Sequence, residues 1–247
     1  MKRPGAIAIY GLLLLGLASI AQAVPPQGFT KVAETAHFVH YSRAGRKGRV
    51  ADRERQIQSL ESRLGVKVEG RVEFYDYDGP EQIAAVTGQY VEGYFYPKRA
   101  ELHATRVAEA HEIVHVAAYG LGDPGSFFQE GLAVALGNQG QLGGRNVDRE
   151  SRRLLAKLSP SALVAGQARV EAWESSAAAG SFVAWLIDRH GLPKVAAFFH
   201  ACGNAQSPVA FEASFGQPLA SASEAWASSL GVRPQPTGGV RMAALAP

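Results

Sequence analysis

Alternation of apolar and polar positions predicts a strand at residues 37–41, His-Phe-Val-His-Tyr. Between residues 50 and 64 the period changes. Ile57, Leu60 and Leu64 recur at helical spacing with charges on the opposite face, and Gly65 supplies a stop. Residues 66–77 return to period two, with Val66, Val68, Val72, Phe74 and Asp76 on one parity. Pro80 opens a short helix, and segments 90–96 and 101–105 predict a hairpin around 97–100. From Arg106 onward the texture is helical. Segments 106–119, 126–138, 148–158, 177–190, 193–201 and 221–230 each fit a helix, separated by Gly/Pro breakers at 120–125, 137–144 and 191–193. A Pro- and Gly-containing tail, 231–247, reads as disordered. No internal repeat is present. A β-rich part (36–105) followed by a helical part (106–230) predicts one α+β domain over residues 24–230.

The chain start reads differently. Residues 6–18 are almost wholly apolar, follow Lys2-Arg3, and lead to Ala21-Gln22-Ala23, the small-residue pattern of a cleavage site. This predicts a signal peptide over 1–23 and an exported protein, periplasmic or secreted. An apolar core of roughly a dozen residues is short of the about 20 needed to cross a bilayer, so no stable membrane span is expected after cleavage.

Composition narrows the partners. The chain has 247 residues, 47% hydrophobic, enough for a sizeable core. Its net charge of +3 includes Lys2 and Arg3; without them 23 basic residues face 22 acidic ones. Such a balance gives no basic face for phosphates and excludes nucleic acid as the expected partner. The single cysteine, Cys202, excludes a disulfide scaffold and reads as a buried, inert thiol beside Phe198 and Phe199.

The candidate chemistry lies at His111-Glu112-Ile113-Val114-His115, an H-E-x-x-H run within a predicted helix. Residues four apart are one turn apart and about 40° apart around the axis, so two imidazoles can reach one metal ion from a single face. Glu112 adjoins that face and can reach water without being a ligand. The same pattern also arises as two solvated helix-face histidines and a surface glutamate. The apolar neighbours Val107, Ala110, Ile113, Val114 and Ala117 favour the metal, since polar groups on a core helix need partners. A zinc site of this type takes a third protein ligand and leaves one position open. The metzincin extension is closed, because Ala118 and Leu121 stand where Gly and His would be required. Glu130, within Phe127-Phe128-Gln129-Glu130-Gly131-Leu132-Ala133, lies across a Gly/Pro turn on the next helix and is the candidate third ligand.

The pair of motifs resembles the gluzincin metallopeptidases, in particular the peptidase MA-like domains of exported bacterial proteins. Support comes from His37-Phe38-Val39-His40-Tyr41, from the 180–191 segment with Ser181-Phe182-Val183 and His190-Gly191, and from Phe211, Phe215-Gly216, Trp226 and Leu230. The resemblance implies a zincin-like fold, His111, His115 and Glu130 as ligands of one zinc ion, and Glu112 as general base. It further implies a peptide or protein substrate and a strand at 101–105 forming a sheet edge onto which an extended peptide adds. Two departures stand out. Residues 176–179 (Ser-Ala-Ala-Ala) lack the tyrosine often placed there to stabilise an oxyanion, leaving Tyr119, Tyr94 or His190 as substitutes. Val134, four residues after Glu130, supplies no carboxylate to orient a ligand; Asp123 and Glu109 are the candidates for that role.

The remaining histidines read as structural. His37 and His40 are expected to face solvent and sheet edge, His103 lies on the proposed edge strand, His190 suits a helix C-terminus, and His200 is structural. Arg145, Arg149, Arg152 and Arg153 read as a solvated helix face. The expected function is an exported zinc peptidase. The alternative is a weak or inactive metallopeptidase-like domain that binds peptide or cell-envelope material.

Overall fold

The computed structural model describes residues 25–43, 45, 48–202 and 207–232. Segment 1–23, expected to be a signal peptide, and tail residues 233–247 lie outside them. The described elements are β1 (Thr30–Glu34), β2 (Phe38–Ser42), α1 (Val50–Leu64), β3 (Val72–Tyr77), α2 (Pro80–Thr87), β4 (Gly93–Tyr96), β5 (Glu101–Thr105), α3 (Glu109–Ala118), α4 (Ser126–Gly137), β6 (Gln141–Leu142), β7 (Arg145–Asn146), α5 (Val147–Leu155), α6 (Pro160–Val164), α7 (Ala172–His190), α8 (Leu192–Ala201), α9 (Ser207–Phe215) and α10 (Leu219–Ser229). A mixed sheet thus precedes a helical part in an α+β arrangement.

The sheet runs β1-β2-β3-β5-β4, with β2, β3 and β5 parallel and the two outer strands antiparallel. Two expectations are corrected by this order. Strand 101–105 is not an edge. A 3-10 turn at Pro97–Arg99 and a left-handed Ala100 (φ 52°) fold β4 back along its outer side, so β4 is the edge. His40 does not face solvent or an edge either, because β1 covers β2; it is 1% exposed, between the rings of Phe38 and Phe74. His37 precedes β2 and pairs with Glu54 and Glu61 of α1.

Side-chain alternation gives the sheet two faces. Phe38, Phe74, Leu102 and Ala104 join Ile57, Leu60 and Leu64 of α1 in a core continuous with α3, α4 and α7–α10. The opposite face carries Tyr41, Tyr75 and Tyr77, covered in part by Phe29 and Ile83. Six tyrosines lie between positions 41 and 96, whereas Trp173, Trp185 and Trp226 all lie on α7 and α10.

Several boundaries differ from the periodicity. Residues 66–71 pass outside the ladder because Val68 N–H donates to Glu61 Oε1 and Gly70 turns at φ +77°. α7 begins five residues before 177, at a capping box formed by Glu171 and Glu174. At the chain's described end, Val232 packs against the core as its N–H reaches the Ala227 carbonyl.

Candidate metal centre

α3 is held at its N-terminus by charge. Glu109, in the first turn, accepts from Arg53 Nε and Nη2 at 3.0 and 2.7 Å, and Arg53 also reaches Asp76 on β3 at 3.0 Å. Arg53 and Glu109 are both buried, and losing either leaves the other with one ion-pair partner, Asp76 for Arg53 and Arg49 for Glu109. Gln56 Nε2 adds a bond to the Ala110 carbonyl at 2.7 Å. α1 and β3 together therefore set the rotation of the helix that carries the two histidines.

α4 is placed by missing side chains. A Cβ on Gly131 would stand 2.7 Å from the Ala179 carbonyl and 2.5 Å from Val183 Cγ2, and one on Gly180 would overlap Val134. These two notches let α4 and α7 approach closely. A third, Gly137, lies against the His111 backbone, where a Cβ would meet Cα at 2.8 Å. Glycine is used here for the space it leaves rather than for its φ.

The outcome is a three-cornered group of donors. His111 Nε2 and His115 Nε2 are 3.1 Å apart, and Glu130 Oε2 and Oε1 lie 3.5 and 3.4 Å from them respectively. Donors arranged tetrahedrally at about 2.0–2.1 Å from zinc are about 3.3–3.4 Å from one another, so the triangle has the right size for one ion. The chemistry fits as well, since two imidazoles and a carboxylate form a zinc-type donor set.

The tautomer is fixed from behind. His111 Nδ1–H donates to Asn138 Oδ1 at 2.9 Å, which leaves the Nε2 lone pair directed at the other donors. Ser176 Oγ donates to Glu130 Oε2 at 3.4 Å. Burial opposes ionisation of Glu130, but the hydrogen bonds and charges of His111 and His115 outweigh it and hold the carboxyl well below its ordinary range. For His111 burial lowers the value, but the Glu130 bond and the Glu112 charge raise it by more, for a net upward shift.

Glu112 borders a cleft of about 570 Å³ whose wall includes Tyr94, His115, Tyr119, Gln129 and Glu130. Its side chain lies directly against β4, where a Cβ on Gly93 would come within 2.5 Å of Glu112 Cγ and 2.7 Å of Oε1. Burial pushes the Glu112 carboxyl above its ordinary value, partly offset by the charges of His115 and His111. The arrangement can hold a divalent cation and present a buried carboxylate beside it, in a cleft open to solvent.

His111, His115 and Glu130 thus come together, with Glu112 on the cleft beside them. Of the proposed tyrosine substitutes, Tyr94 and Tyr119 line the cleft and His190, in the last turn of α7, is not among its lining residues. The orienting roles considered for Glu109 and Asp123 are corrected. Glu109 is taken by Arg53 and Arg49, and Asp123 Oδ1 accepts from Gly125 N–H. His103 is buried on the far face of the sheet, His200 is exposed, and the four arginines of 145–153 are exposed on α5 and its approach. Cys202 is buried, which pushes its thiol up. Asn138, Ser176 and Gly93 were not singled out by sequence reasoning. Only Gly93 carried a signal, a glycine inside a strand marking close approach of another group. The chain matches no protein-family model and no curated protein. Among the described residues no helix is long and apolar enough to cross a membrane.

Proposed function

We propose that this protein is an exported, zinc-dependent peptidase of gluzincin type, with His111, His115 and Glu130 as metal ligands and Glu112 as general base. The observation that carries the reading is the convergence of three donors on one point with a fourth, buried carboxylate beside it and an open cleft in front. Bound there, zinc supplies a Lewis acid that acidifies water and polarises a carbonyl. Glu112 does the proton work: buried on the cleft beside the donors, it is placed to accept a proton and return it to a leaving amine. Asn138 holds His111 in the ligating tautomer and Ser176 steadies Glu130. Tyr119 is the hydroxyl on the cleft wall available to a developing oxyanion, since the Tyr94 side chain projects with His103 to the opposite face of the sheet.

Elemental mass spectrometry on untagged protein, followed by a peptide-library cleavage screen, tests the reading. About one zinc per chain is expected. Glu112→Gln should keep the zinc and lose hydrolysis, while His115→Ala and Glu130→Ala should lose both. Undiminished cleavage by Glu112→Gln would remove it as the base, and undiminished metal in Glu130→Ala would remove the third ligand. Peptide binding without cleavage in the parent would favour the binding-domain alternative.

A further inference from the structure

A second cleft, of about 650 Å³, opens on the other face of the sheet, and its wall shares Tyr94 with the metal cleft. Register explains its lining. Tyr94 pairs with His103 and Tyr96 with Glu101, so these four side chains project from one face of β4 and β5. The rings of Tyr94 and Tyr96 stack at 6.0 Å, and His103 stacks on Tyr75 at 4.9 Å. At the base, His103 and Glu101 are 3% and 8% exposed.

Glu101 is underpartnered for so buried a carboxylate. Among the described residues its side chain meets His103 Nε2 at 3.4 Å and Arg99 Nη1 at 3.8 Å. Charge-assisted bonds run about 2.7–2.9 Å, so both contacts are long. The other nitrogen of His103 is committed to Tyr77 Oη at 2.8 Å. Burial drives the His103 value below its ordinary one, against the opposing pull of Glu101. Arg99 is 65% exposed in its side chain and lies over the Tyr96 ring at 5.0 Å, beside the carboxylate rather than on it. A buried carboxylate flanked by stacked aromatic faces is the chemistry that receives an organic cation.

We propose that this cleft is a binding site for a lysine or arginine side chain, with Glu101 as its counter-charge and Tyr94 and Tyr96 as its walls. Because Tyr94 separates the two clefts, the residue it holds belongs to the same extended peptide that enters the metal cleft. That placement, unlike the cation preference itself, rests on the peptidase reading.

Calorimetric titration of the full chain, freed of metal by chelation, with a blocked alanine pentapeptide bearing lysine, norleucine or glutamate at its centre decides the matter. The lysine peptide should bind about tenfold more tightly than the norleucine one. Glu101→Gln should abolish that advantage. Arg99→Ala, on an exposed side chain, should increase it by removing the neighbouring cation. Equal affinities, no binding of any of the three, tightest binding of glutamate, or a lysine advantage surviving Glu101→Gln would each overturn the site. If hydrolysis is found, cleaved library peptides should carry Lys or Arg at a fixed distance from the cut. A random distribution would overturn the placement alone.

Discussion

The Asn138 amide oxygen that receives the Nδ1 proton of His111 is the smallest part of the centre and a decisive one, since it chooses which nitrogen is free to ligate. Asn138→Leu should lower zinc affinity about 10- to 100-fold while leaving the fold intact, measured by competition with a chromophoric chelator. Unchanged affinity would mean that the helix backbone alone sets the ring. His40 makes the opposite case. Among the described residues neither of its ring nitrogens has a hydrogen-bond partner, and burial, with the nearby Arg53 charge, drives its value from 6.5 down to about 4. The unfolded chain therefore binds more protons than the folded one between those values, so stability rises with pH across that window. The contribution is fully present above about pH 6.5 and is lost as pH falls toward about 4, by up to about 3 kcal/mol. His40→Leu should flatten this limb of the stability curve in urea melts at pH 4–7 and raise stability at neutral pH by about 1 kcal/mol, because it removes an unsatisfied buried group. An unaltered acid limb would assign the titration elsewhere.

Among the elements, α4 carries the most consequence for its length, since Gly131 and Gly137 bring it onto α7 and α3 while Glu130 rides between them. Gly131→Ala should cost about 1–3 kcal/mol through the clash with the Ala179 carbonyl. It should lower Tm by roughly 2–4 °C per kcal/mol in a chain of this size and weaken metal binding by shifting the neighbouring carboxylate. A variant with parental Tm would show that α7 yields freely. This is also where the limits of the sequence become concrete. α1 was legible to its last residue because its apolar stripe and Gly65 agree. The helix pair bearing His111, His115 and Glu130 was legible because spacing and chemistry point the same way. β1 was missed because Thr30–Glu34 has little to bury, being an outer strand paired only with β2. α6 escaped notice as a single short turn opened by Ser159 and Pro160. The order of β4 and β5 was beyond local pattern, since which arm of a hairpin joins a sheet is decided by long-range pairing. Asn138 and Ser176 were hidden for the same reason, as each acts on a residue far away in the chain.

Across the whole molecule, the candidate metal ligands sit where the sheet-bearing and helical parts share one core, α3 packing under the sheet and α4 against α7. An ion held there binds only the folded state. Zinc at about a thousandfold above its Kd should add about 4 kcal/mol, read as a Tm increase that His111→Ala abolishes. No shift in the parent would place the donors outside the stabilised structure. The separation of the aromatic residues gives this experiment two colours. Indole emission comes wholly from α7 and α10, with Trp226 fully buried and bonded to Ser181, whereas the near-ultraviolet dichroism of the stacked Tyr41 and Tyr75 rings reports the sheet. The protein is thus labelled at both ends of its core without any added dye, and the two signals, followed together, time the loss of one part against the other.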